Sequence, residues 1–193
     1  MMIERNKRNL LILACAALLG VSGCTTTGPN APADPASKRA SIDAAVDAAL
    51  SKLYNQVPGS REMVARSVGV LVFPGVVSAG LGIGGSYGQG ALRVAGRSEG
   101  YYSTTAASVG LIAGADSKAM YVLFMNQESF DKFRASKGWT AGVDASVTLI
   151  KVGADAGVDT QTGKQPVVGY VLSNAGLMAN LSIDGTKVSR LDI

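Results

Sequence analysis

The chain contains no histidine in 193 residues. That zero removes Ser-His-Asp and Cys-His catalysis, HExxH metal sites and every His-ligated zinc, copper or haem. Charge is scarce too: 17% of residues are Asp, Glu, Lys or Arg, against about 25% in an ordinary soluble domain. Aromatic residues reach only 6% although 47% of the chain is hydrophobic, so its apolar mass is mainly Ala, Val, Leu and Ile. There are two cysteines, Cys15 and Cys24. What is plentiful is glycine, at 24 residues. A length of this order predicts one domain, and the composition favours a small-residue β protein that binds or scaffolds and is not an enzyme.

No hydrophobic run at the N-terminus is long enough to span a bilayer. Leu10 to Val21 covers 12 residues, where a spanning helix needs about 20. It follows Arg5, Lys7 and Arg8 and leads to Val21-Ser22-Gly23-Cys24, an arrangement similar to a bacterial lipoprotein leader with its lipobox. The expectation is a signal peptide over residues 1–23 and an acylated Cys24 as the first mature residue. Cys15 lies in the leader, so the mature chain keeps no free thiol and forms no disulfide. Thr25 follows the cysteine where an aspartate would favour inner-membrane retention, which points to the outer membrane, facing the periplasm. Residues 24–37, with Pro29, Pro32 and Pro35, read as a lipidated, disordered tether.

Removing the leader takes Lys plus Arg from 18 to 15 and Asp plus Glu from 14 to 13, so the net charge falls from +4 to +2. A nucleic-acid partner loses its main support.

Residues 38–193 form the expected domain. Lys38 to Val57 predicts a helix capped by Ser37 or Ser41, with Ile42, Val46, Ala49, Leu50 and Leu53 on one stripe. Its poorly basic polar face favours packing on a sheet over lying on anionic lipid. Ser60 to Ser67 predicts a second short helix. Val68 to Phe73 reads as a strand closed by Pro74-Gly75. In Ala79 to Val94, glycines 80, 82, 84, 88 and 90 share even parity, predicting one bare strand face. Such a face serves either sheet curvature and close packing or a ligand groove. Between Trp139 and Val158 the apolar parity flips near Leu149-Ile150, predicting a bulge or sharp bend. The run Ala107 to Asp116 is echoed imperfectly by Ala145 to Asp155. Lys118 to Met125 predicts a central strand, Asn126 to Ser136 a capped helix burying Phe130 and Phe133, Pro166 to Leu172 and Leu177 to Ile183 further strands, and Asp184-Gly185 a hairpin turn into Val188 to Ile193. The fold class expected is α+β: a strongly curved, barrel-like, mainly antiparallel sheet with N-terminal helices and one inserted helix.

Tempting motifs fail on mechanism. Gly80-Leu-Gly-Ile-Gly-Gly85 fits G-x-G-x-x-G, but Ser86-Tyr-Gly-Gln-Gly90 does not open the helix a pyrophosphate needs. Gly84-Gly-Ser86-Tyr-Gly88 fits the nucleophile elbow, yet without histidine Ser86 lacks its usual base. Asp155 and Asp159 fit no calcium-loop spacing. No metal or cofactor is expected. Among basic residues, Arg93, Arg97, Lys118, Lys132, Arg134, Lys137 and Lys151 are candidates for lipid phosphates, against a reading as scattered surface charge. Gly80, Gly82 and Gly84 are the candidate ligand-facing glycines.

Gly69-Val-Leu-Val-Phe-Pro-Gly-Val-Val-Ser-Ala-Gly80 and Gly84-Gly-Ser-Tyr-Gly-Gln-Gly90 together resemble the SYLF lipid-binding family, which is also named after a yeast actin-patch protein. The resemblance runs on through Tyr101-Tyr-Ser103, Ser108-Val-Gly-Leu111, Phe124-Met125, Phe130-Asp-Lys-Phe133, Gly138-Trp139, Asp144-Ala-Ser-Val147 and Gly185-Thr-Lys187, from about Ile42 to the end of the chain. It implies lipid binding, with phosphoinositides as ligands of eukaryotic members, and no catalytic residue. Some members bind actin; a periplasmic lipoprotein would not meet it, and envelope phospholipid is the ligand class implied here. The alternative is a structural or stress-related envelope protein with no small ligand.

Overall fold

The computed structural model describes residues 34–150, 164–173, 176–177 and 183–193. Helix α1, Pro35–Gln56, starts three residues before the sequence suggested. Pro35 occupies the first turn, where its missing N–H costs nothing. Asp34 is the cap, accepting from the Ser37 N–H at 3.3 Å, so Ser37 and Ser41 do not cap. Helix α2, Ser60–Arg66, follows Gly59, whose φ of 78° suits glycine.

Two long strands dominate. β1, Gly69–Val94, and β2, Arg97–Phe124, form one antiparallel hairpin. Pro74-Gly75 does not end the first strand: the register shifts between Phe73 and Val76, and the strand continues beyond the bulge. Twenty-six extended residues would reach about 86 Å, so the ribbon has to roll up. It does so at the register shift between Leu81 and Ile83, opposite residues 109–113. The limb after the bend returns against the limb before it. A Cβ on Gly90 would collide with the Val72 carbonyl, and one on Gly88 would come within 3.0 Å of the Gly75 carbonyl oxygen. The later glycines therefore serve the strand's approach to itself. The even parity expected from residue 80 to residue 90 persists through the bend: residues 79, 83, 85 and 87 are exposed, while 80, 84, 86, 88 and 90 are half-buried or buried.

The remaining strands attach to the two ends of β2. β5, Val167–Ser173, pairs antiparallel with residues 119–124, and β7, Lys187–Leu191, with residues 101–105. β3, Trp139–Thr140, pairs with β7; β4, Thr148–Leu149, runs parallel to β5; β6, Gly176–Leu177, pairs with β5. The result is a strongly curled, mostly antiparallel half-barrel. The expected long strand from Trp139 is interrupted earlier than Leu149. Gly142, with φ 81°, and the Gly142 N–H to Ala145 carbonyl bond at 2.9 Å turn the chain between β3 and β4. Residues 151–163, including Lys151 and the second half of the sequence echo, lie outside the described residues. So does most of the strand expected from Leu177 to Ile183, whereas the turn at Asp184-Gly185 is present, closed by Thr186 N–H to the Ile183 carbonyl at 3.1 Å.

Each face of the sheet has its own core. On one, α1 places Ile42, Val46, Ala49 and Leu53 over Val70, Val72, Tyr121, Leu123 and Tyr170. Fully burying a Val, Leu or Ile side chain contributes about 1.5–3 kcal/mol, so this stripe suffices to hold the helix down. On the other, helix α3, Gln127–Ala135, capped by Asn126 as expected, inserts Phe130 and Phe133 beside Phe124 and Trp139. Ring centroids there lie 4.7 to 6.2 Å apart, within reach of edge and offset packing. All four phenylalanines and the single tryptophan of the sequence sit in this core. Both cores belong to the unit Asp34–Ile193.

Candidate functional site

The described basic residues singled out in the sequence do not gather in one patch. Arg93 is tied to α1: its guanidinium donates to Asp47 Oδ1 at 2.6 Å and to the Asp43 carbonyl at 3.2 Å, with Asp43 Oδ1 at 3.7 Å. Asp43 also accepts from Ser98 Oγ at 2.6 Å and Tyr101 Oη at 2.8 Å. This is a clamp between the helix and the hairpin's turn end, and burial together with the Asp43 bond raises the Tyr101 pKa. A cavity of about 380 Å³ beside it is lined by Tyr54, Val64, Arg93 and Gly96, but the guanidinium that would attract an anion there already serves two carboxylates. Arg97 begins β2, exposed at the same end.

On α3, Lys132 pairs with Glu128 at 2.7 Å and holds its carboxyl below the usual range. Arg134 lies 3.6 Å from Glu99 and over the Phe130 ring at 5.4 Å. Lys137 is exposed just beyond that helix. Gly80, Gly82 and Gly84 lie at the bend of the ribbon, Gly80 so close to Gly84 that no Cβ fits. Cys24 lies outside the described residues.

Lys118 is different. It lines a groove of about 310 Å³ with Lys52, Ala45, Ala48, Pro74 and Ser117. The Lys52 ammonium donates to the Ser173 carbonyl at 3.3 Å. Two lysines thus line a groove whose other walls, Leu172 apart, are small residues. Sequence reasoning missed Lys52 as a partner of Lys118. The two are 66 positions apart, and only the packing of α1 across the base of the hairpin brings them together.

Past Pro74 the same hairpin opens a second hollow, about 590 Å³, where the limbs of the bend face each other. Gly75, Val77 and Ala79 stand on one side, Gly85, Tyr87 and Gly88 on the other. Val77, Ile83 and Tyr87 are 52%, 75% and 49% exposed. The Tyr87 hydroxyl accepts from Gln89 Nε2 at 2.6 Å. No group of three or more Cys, Asp or Glu side chains placed to hold a metal occurs among the described residues. The arrangement offers cationic and apolar contacts, and no paired acid and base.

No curated protein matches the chain. Residues 105–192 match the Ysc84 family, described as Las17-binding protein actin regulator. That span takes in most of β2, the aromatic core and β3 to β7, so it includes Lys118 but neither Lys52 nor β1. The match covers just under half of the chain and agrees with the resemblance to the SYLF family carried by its sequence motifs.

Proposed function

We propose that this is a lipid-anchored protein of the bacterial envelope whose domain binds phospholipid without catalysis. The observation that carries the reading is the groove bordered by Lys52 and Lys118, in a chain that matches over residues 105–192 a family described as Las17-binding protein actin regulator and that resembles the SYLF lipid binders. Ammonium groups attract anionic headgroups by about 1 kcal/mol each close to a membrane surface. Acylation at Cys24 supplies attachment, at the outer membrane facing the periplasm. In that compartment the partner is phospholipid and not actin, and no cofactor takes part.

A second reading, a structural or stress-related envelope protein with no small ligand, draws on Gly88 and Gly90, whose bare faces are filled by the chain's own backbone. Flotation separates the two. The domain beginning at Asp34 should rise with vesicles of phosphatidylethanolamine and phosphatidylglycerol, and less so after Lys52→Ala with Lys118→Ala. Failure to float with anionic and zwitterionic vesicles alike, with no lipid copurifying by mass spectrometry, favours the second reading. Cys24→Ser should release the full chain from membranes; persistent attachment contradicts the anchor.

A further inference from the structure

An apolar surface in this domain can be located by elimination. The apolar stripe of α1 is spent on the sheet, with Ile42, Val46, Ala49 and Leu53 buried. Residues 36, 40, 44, 45 and 48, all alanine, leave its outer face with little apolar area. The described residues contain four exposed large hydrophobic side chains, and three of them, Val77, Ile83 and Tyr87, belong to the bend of the β1–β2 hairpin. The surrounding sequence is uncharged over long stretches: no Asp, Glu, Lys or Arg occurs from Ser67 to Leu92 or from Gly100 to Ala115. Charges resume at the base of the bend. There Asp116 pairs in register with Ser78, Lys118 pairs with Val76, and Lys52 reaches the same base from α1.

We propose that the bend of this hairpin, led by Val77, Ile83 and Tyr87, is the face that the domain lays on an anionic phospholipid surface, with Lys118 and Lys52 at headgroup level. The inference rests on the lipid reading above and adds an orientation to it. An uncharged tip enters the acyl boundary without the cost of burying an ion, and a partly exposed tyrosine suits the interface between apolar and wet layers. Two ammonium groups behind the tip match anionic headgroups, and they outnumber the carboxylate of Asp116 that pairs in register with Ser78. Insertion is shallow, because the backbone groups along a ribbon edge need water or headgroups as hydrogen-bond partners. The anchor makes the encounter local. Eleven residues from Cys24 to Pro35 span at most about 40 Å, so an acylated chain holds the domain within reach of its own membrane.

The test uses the domain from Asp34 onward, which contains both cores and has no cysteine of its own. Single-cysteine variants Val77→Cys and Ile83→Cys receive an environment-sensitive fluorophore, and Asn55→Cys at the end of α1 serves as the exposed control. With phosphatidylethanolamine–phosphatidylglycerol vesicles carrying a bilayer-embedded quencher, the labels at 77 and 83 should shift to the blue and be quenched, while that at 55 should not. Ile83→Asp, at an exposed position that leaves both cores untouched, should weaken partitioning about tenfold. If the domain floats but positions 77 and 83 stay unquenched, the orientation is overturned and the lipid reading stands. If the domain does not float at all, both fall. If Ile83→Asp abolishes self-association measured by ultracentrifugation and leaves vesicle binding unchanged, the bend is an interface between copies and the proposal is wrong.

Discussion

Tyr121 and Tyr170 stand side by side in register under α1, with the same burial and different fates. The Tyr121 hydroxyl donates to the Ala49 carbonyl at 2.8 Å, whereas that of Tyr170 finds no partner among the described residues. Losing a made hydrogen bond costs about 1 kcal/mol, and an unmade one carries a desolvation penalty of similar size. Tyr121→Phe should therefore lower stability by about 1 kcal/mol in urea unfolding, and Tyr170→Phe should leave it unchanged or raise it. Burial raises both phenol pKa values, that of Tyr170 from 10.0 to about 12. Below pH 10 both the folded and the unfolded forms are protonated, and the stabilisation is complete. Between about 10 and 12 only the unfolded chain ionises, so stability falls as pH rises through that window. The loss should be smaller in Tyr170→Phe, measured as the pH dependence of the urea midpoint. Ala95 is a second residue at odds with its place: at φ 48° it occupies the left-handed region beside Gly96 in the hairpin turn. An Asn-Gly pair fits that turn better, and Ala95→Asn should gain about 0.5–1 kcal/mol, read as a higher Tm.

At the scale of elements, the rolled hairpin is the feature that organises everything else, and it is held by contact between its own limbs. Gly90→Ala should cost about 3 kcal/mol, because the new methyl meets the Val72 carbonyl and the Phe73 ring. Gly85→Ala, whose nearest atom would be 3.8 Å away, should change stability by about 0.5 kcal/mol or less. Thermal unfolding of the pair checks the claim. Much of this was legible beforehand. The stripe Ile42, Val46, Ala49, Leu53, the cap at Asn126 and the doubly apolar run ahead of Met125 each follow from local periodicity and local chemistry, and each is where it was expected. The strongly curved, mainly antiparallel sheet was legible as well. The continuity of β1 through Pro74-Gly75 was not. A proline and a glycine read as a stop unless the partner strand is known, and here a bulge opposite residues 118–120 absorbs them. The glycine parity, by contrast, was legible: exposure alternates with period two on both sides of the bend, and Gly88 and Gly90 face the strand's own backbone.

On the scale of the whole molecule, charge and apolar surface are sorted along the hairpin. The turn end carries Arg93 and its carboxylates, the base carries Lys52 and Lys118, and the bend carries no charge between Gly75 and Leu92. The sequence revealed each of these stretches but not their juxtaposition, since Lys52 joins Lys118 only through the packing of α1 on the sheet. Arg93 was a candidate for lipid phosphate on composition alone; in the folded chain its bonds run to Asp43 and Asp47. The central claim is that this domain binds phospholipid by itself, apart from any acyl anchor. Flotation of the domain starting at Asp34 with phosphatidylethanolamine–phosphatidylglycerol vesicles tests it most directly. The account predicts that the protein rises with the vesicles and that added salt, which screens Lys52 and Lys118, weakens this. Protein left at the bottom of the gradient at low salt, with every vesicle composition, would contradict it.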